Sequence, residues 1–248
     1  GVKDQGFAFL LLLYYNQVLG MPEKWVGLGI MIALIADAFL DPIVGYVSDN
    51  LHTRWGRRHP LMYLSAIPVA VSYRFLWSPP EGLSHGELFA YFVGLSIVIR
   101  ACISLYEVPS SSLVPELTTH YDERTSLLGF RYFFGWSGGL AMAIVAFQVF
   151  LQPSAAYPVG VLNADGYRAY GLAASVVMAL AILISAGGTH SYIPHLRKPP
   201  PKQPFELGRT FREMRETLAN RSFLSLFGAM IFGSMAGGLS AALNIYFN

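Results

Sequence analysis

Cysteine is nearly absent from this 248-residue chain, in which Cys102 stands alone. A single thiol forms no internal disulfide and builds no multi-thiolate metal site, which excludes a stapled secreted scaffold. Charge is scarce as well: 17 Lys and Arg and 15 Asp and Glu make up 13% of the residues, about half the share usual in soluble domains. The net charge of +2 lacks the concentrated cationic excess on which nucleic-acid binding depends, so no nucleic-acid partner is expected. The start carries no short apolar region followed by a small-residue cleavage site, so the first apolar run is expected to stay in the mature protein. No nucleophile–base pair, phosphate-cradling glycine loop or metal-ligand cluster stands out, which ranks an enzyme last among the possible classes.

What the chain has in abundance is apolar sequence. Hydrophobic residues make up 54% and the mean hydropathy is +0.44. Crossing about 30 Å of hydrocarbon as helix takes about 20 residues, and seven runs approach that length: 5–20, 25–47, 60–77, 88–113, 126–151, 168–187 and 222–247. The expected class is an all-α membrane protein. Gly1 at the start and an end directly after the seventh run are read as the limits of a fragment.

Positive charge alternates between connections, as orientation in a membrane requires. Arg54, Arg57 and Arg58 lie in 48–59, Arg124 lies in 114–125, and seven Lys and Arg lie in 188–221. Those three connections are expected on the cytoplasmic side. The opposite ones, 21–24, 78–87 and 152–167, carry only Lys24. Within 188–221 the prolines around 199–201 favour an extended chain, while Leu207, Phe211, Met214 and Leu218 recur at helical spacing and predict an amphipathic surface helix. The expected organisation is a six-helix bundle over 1–187, a cytoplasmic linker over 188–221 and a seventh helix over 222–248 that opens a second half. Six spans, a basic linker and a further span are the organisation of major facilitator transporters. Gly135, Gly139 and Ala143, and again Gly233, Gly237 and Ala241, are spaced to let helices approach closely.

Ionised groups at bilayer depth are costly and mark function by default. The reading singles out Asp37, Asp41, Arg100 and Glu107. Asp37 and Asp41 are one helical turn apart, so both carboxylates face one way. Two such anions need a compensating cation, proton or arginine. Arg100, Ser104 and Glu107 share a face of the fourth span, and counting from the outer ends puts Arg100 level with Asp37 and Ser104 level with Asp41. Pro42 and Pro109 interrupt the hydrogen-bond ladders beside these residues. A purely structural network that locks spans two and four is the competing reading. His190 and His195 lack further ligands at metal-site spacing.

The stretch Ala36-Asp-Ala-Phe-Leu-Asp-Pro-Ile-Val-Gly-Tyr-Val-Ser-Asp49 with Arg54-Trp-Gly-Arg-Arg58, and Tyr106-Glu-Val-Pro-Ser-Ser-Ser-Leu-Val-Pro-Glu-Leu117 with Asp122-Glu-Arg-Thr125, resembles the helix-two and helix-four motifs of the glycoside-pentoside-hexuronide:cation symporters. That family, typified by melibiose permease, belongs to the major facilitator superfamily. The resemblance implies cation-site roles for Asp37, Asp41 and Ser104, and substrate-site positions for Glu107, Ser111 and, more weakly, Asp4. It implies that Gly45, Asp49, Arg54, Gly56, Arg57, Arg58, Asp122 and Arg124 belong to cytoplasmic motifs whose charge pairs hold one conformation of the transport cycle. Leu40 stands where the typical member has a cation-site asparagine, and Ser111 where it has a sugar-stacking tryptophan.

The expectation is therefore a multi-pass protein of the bacterial inner membrane that couples entry of a sugar or glycoside to H+ or Na+. Its partners would be a small-molecule substrate, the bilayer and a missing carboxy-terminal half, with no cofactor beyond the coupling ion. The rival expectations are a carrier of another amphipathic solute, such as a lysolipid or steroid-like glycoside, and a non-transporting membrane scaffold or sensor.

Overall fold

In the computed structural model, residues 1–196, 216–217 and 219–247 are described, with side chains placed as far as Ala236. The four apolar residues that predict an amphipathic helix over 207–218 lie outside the described residues. The chain separates into two compact units, 1–201 and 202–248.

Among the described residues, the first unit holds six long helices, besides short 3-10 turns at Gly160–Leu162 and His190–His195. Helix α1 spans 2–18, beginning as Val2–Gln5 and continuing through π-helical stretches at Gly6–Leu10 and Leu13–Val18. It is followed by α2 (Glu23–Asn50), α3 (His59–Leu76), α4 (His85–Leu117), α5 (Tyr121–Val145, extended by the π turn Ala146–Phe150) and α6 (Ala164–Gly188). Helices α2, α4 and α6 contain their expected apolar runs and extend past both limits, because flanking polar residues continue the helix, whereas α1, α3 and α5 start earlier than expected and stop one or two residues short of the expected end. Asp122 and Glu123 occupy the first turn of α5, where anions complement the helix dipole. Ser84 and Glu87 form a capping box that starts α4.

Helix α3 packs between α4 and α6, α2 lies along α4, and the start of α1 meets α5. At that last crossing a Cβ on Gly139 would sit 2.9 Å from the Gly1 backbone, so Gly139 serves close approach as its spacing predicts. Four of the described helices, α2, α4, α5 with its π turn, and α6, are long and apolar enough to cross a membrane.

The densest packing lies towards the ends of α1 and α3 that the charge pattern assigns to the outer side. Trp77, Tyr14, Tyr15, Tyr73, Tyr167, Tyr170 and Phe92 are fully buried there. The Tyr14 and Tyr15 hydroxyls donate to the Trp77 and Leu76 carbonyls at 3.2 and 2.8 Å. Those carbonyls belong to the end of α3, where no next turn supplies a donor.

The second unit contains α7 (Arg221–Phe247). Asn220 caps it, its Oδ1 accepting from the Ser222 and Phe223 amides at 2.9 and 3.3 Å.

Candidate functional site

Asp37 and Asp41 project from the middle of α2 onto the face of α4 that carries Arg100 and Ser104. Arg100 Nη1 donates to Asp37 Oδ2 at 2.7 Å, and Ser104 Oγ donates to Asp41 Oδ1 at 2.5 Å. The same hydroxyl lies 3.3 Å from Asp37 Oδ1. Arg100 keeps 9% of its surface exposed, and its guanidinium also covers the Phe7 ring at 5.4 Å. Asp37 is partly buried and Asp41 is exposed. The bundle therefore holds a charged pair and a hydroxyl–carboxylate pair side by side.

Chemically the cluster carries two carboxylates, one hydroxyl and one fixed cation. A second cation placed 4 Å from a guanidinium meets a repulsion of about 4 kcal/mol at an effective dielectric near 20. Ser104 has one proton to donate, and Asp41 receives it at the shorter distance. Leu40 contributes no oxygen ligand from its side chain.

Glu107 lies one turn further along α4, where its side chain is exposed and its backbone carbonyl accepts from the Ser110 and Ser111 hydroxyls. Asp4 is not brought to this cluster; its carboxylate pairs with Lys3 at 3.0 Å.

The set of four intramembrane charges drawn from the sequence is incomplete. Arg131, inside the apolar run of α5, donates through Nη1 to Ser110 Oγ at 3.1 Å. It places a second cation one turn towards the cytoplasmic side of Glu107. A lone arginine in an otherwise uncharged span was the available signal.

A second polar cluster lies at the end of the bundle that the basic loops assign to the cytoplasmic side. Arg57 Nη2 and Arg58 Nη2 reach Glu116 Oε1 at 2.6 and 2.5 Å, with Arg58 Nε at 2.9 Å. Asp49 Oδ1 adds longer contacts to both arginines, 3.4 and 3.5 Å. Gly56 adopts φ +74°, a left-handed conformation that turns the loop so both arginines face α4. These residues and Arg124 line a cleft of about 580 Å³. Arg124 itself donates to the Thr118 carbonyl at 3.3 Å. Arg54 stays outside, exposed and stacked over Trp55, Asp122 is exposed at the start of α5, and Gly45 packs loosely against Val108. Glu116 lies within the helix-four motif but outside the residues to which the resemblance assigns a role. Its position, after Pro115 and at the same membrane face as a triple-arginine loop, was the signal.

An all-α bundle of long apolar helices, with paired charges midway along α2 and α4 and a basic clamp at one end, defines a polytopic membrane protein of the major facilitator type. A model of the MFS/sugar transport protein family matches residues 1–248, and the chain belongs to that family. An uncharacterized symporter of Synechocystis is 37% identical over 143 residues, 56% of this chain and 26% of that protein. The isoprimeverose transporter of Lactiplantibacillus pentosus is 30% identical over 139 residues, 55% of this chain and 28% of that protein. The lactose permease of Leuconostoc lactis is 28% identical over 185 residues, covering 68% and 28%. The chain thus spans less than a third of the length of these relatives. It is a multi-pass protein of the plasma membrane, the inner membrane in bacteria.

Proposed function

We propose that the whole protein is a secondary active symporter that couples H+ or Na+ to entry of a sugar or glycoside by alternating access. On this reading residues 1–187 are its amino-terminal six-helix bundle, 188–221 a cytoplasmic linker, and 222–248 the first helix of a second half. The observation that carries the proposal is the Asp37–Arg100 and Asp41–Ser104 pairing between α2 and α4. A cation bound there neutralises a carboxylate at mid-membrane, which lowers the cost of moving the loaded site past hydrocarbon. Membership of a sugar transport family and the names of the relatives, among them carriers of isoprimeverose and lactose, support the substrate class.

In this mechanism Asp41 and Ser104 hold the coupling ion, Glu107 accepts hydrogen bonds from substrate hydroxyls beside Ser111, and the Glu116 clamp with Asp49, Arg57, Arg58 and Arg124 stabilises one conformation of the cycle. The test uses the full-length parent protein. Asp41→Asn is expected to abolish coupled accumulation in vesicles while the protein still folds; unchanged accumulation refutes the assignment. Thermal midpoints against a panel of glycosides complete it. A sugar-specific rise, lost in Glu107→Gln, supports the substrate site, and a response only to lysolipids or steroid glycosides replaces the sugar with another amphipathic solute.

A further inference from the structure

We propose that Arg100 is a built-in counter-ion of the cation site, so that the carrier is driven by protons through Asp41 and does not use Na+. This rests on the symport reading above and narrows its coupling ion. Two features of the geometry converge. Arg100 is ion-paired to Asp37 at 2.7 Å, and a guanidinium stays charged at any physiological pH, so the positive charge there is permanent. Ser104 spends its one proton on Asp41 at 2.5 Å, turning its hydrogen, not a free lone pair, towards the carboxylate.

The groups facing Asp41 and Asp37 from the packed elements are few. Helix α4 presents Arg100, Ser104 and, one turn on, Glu107; α1 presents the Phe7 ring against Arg100. Arg100 balances Asp37, which leaves Asp41 as the carboxylate of the pair with an uncompensated charge. One proton added to Asp41 makes the pair of aspartates and Arg100 electrically neutral together. A sodium ion would instead have to share the Asp37 carboxylate with a guanidinium already on it. Arg100 is thus a specificity-determining residue that acts by charge, as well as a bond between α2 and α4.

The experiment measures the thermal midpoint of the purified full-length protein in NaCl against equal choline chloride, at two pH values, for wild type, Arg100→Ala, Arg100→Lys and Asp41→Asn. Wild type and Arg100→Lys are expected to show no Na+-specific shift, because both keep the cation. Arg100→Ala is expected to acquire a saturable Na+-dependent rise, with apparent Na+ affinity at least about tenfold above wild type. A purely structural arginine would lower the midpoint equally in both salts. Should Arg100→Ala not fold, wild type decides alone: a saturable Na+ shift that Asp41→Asn removes overturns the proposal and leaves the symport reading standing. An absence of any Na+ response in a folded Arg100→Ala overturns the proposal, and unchanged sugar accumulation in Asp41→Asn overturns the symport reading with it.

Discussion

Removing the Asp37 carboxylate strands the Arg100 guanidinium, which is nine-tenths buried, and breaking such a pair costs more than the pair contributes. Asp37→Asn is expected to destabilise the full-length protein by about 2 kcal/mol, below the usual 3–5 for a fully buried pair because Asp37 keeps partial exposure. Asp37→Asn combined with Arg100→Leu should recover much of that loss in the unfolding midpoint; equal destabilisation by the single and double variants would mean the two are not coupled. The register of these residues was legible because helix geometry is stiff: counting 1.5 Å per residue from the outer ends puts Arg100 beside Asp37. Arg131 was visible as a cation, but its Ser110 partner lies on another helix, and only tertiary packing pairs them.

At the scale of the element, the spans were readable from hydropathy, whereas the π-helical stretches of α1 at Gly6–Leu10 and Leu13–Val18 carry no composition signal. They accompany the seating of Tyr14 and Tyr15 against the end of α3, a contact between distant parts of the sequence. Trp77 anchors that contact, stacking on Tyr167 and meeting Tyr14, Tyr73 and Tyr170 edgewise or tilted. Trp77→Ala is expected to cost about 3–5 kcal/mol, read as a lower unfolding midpoint. At the start of α4 the hydroxyl and amide of Ser84 donate to Glu87 and hold its carboxyl below the ordinary value of 4.5. A lowered carboxyl stabilises the fold above its unfolded value and loses that contribution as pH falls through the folded one. Amide exchange in the first turn of α4 should therefore quicken, after correction for intrinsic rates, as pH drops below about 4.5, and Glu87→Gln should remove that dependence.

On the scale of the whole molecule, the six-helix unit is firm where the aromatic cluster lies and depends on charge where the cytoplasmic clamp lies. Both arginines of that clamp converge on a single oxygen of Glu116. Glu116→Gln is expected to raise hydrogen exchange over 51–58 by about tenfold, the equivalent of about 1.4 kcal/mol, with exchange over 73–77 unchanged; uniform change in both segments would refute a local clamp. The alternation of basic loops forecast which helix ends share this face. It did not forecast the clamp, which requires the loop after α2 to turn at Gly56 and bring Arg57 and Arg58 to α4.

The prolines inside α2 and α4 make these helices jointed beams. Pro42 and Pro109 lie within two residues of Asp41 and Glu107, and each leaves the carbonyl four residues earlier without its helical donor. The joints thus lie between the anchored aromatic end on one side and the arm held by the Glu116 clamp on the other. Beyond Pro109 the arm of α4 runs about 10 Å to Glu116 at 1.5 Å per residue, so a bend of about 10° carries that carboxylate sideways by about 2 Å. A swing of that size would break the 2.6 Å contact from Arg57 while the 51–58 loop stays in place, so the flexing of the beam and the grip of the clamp oppose each other.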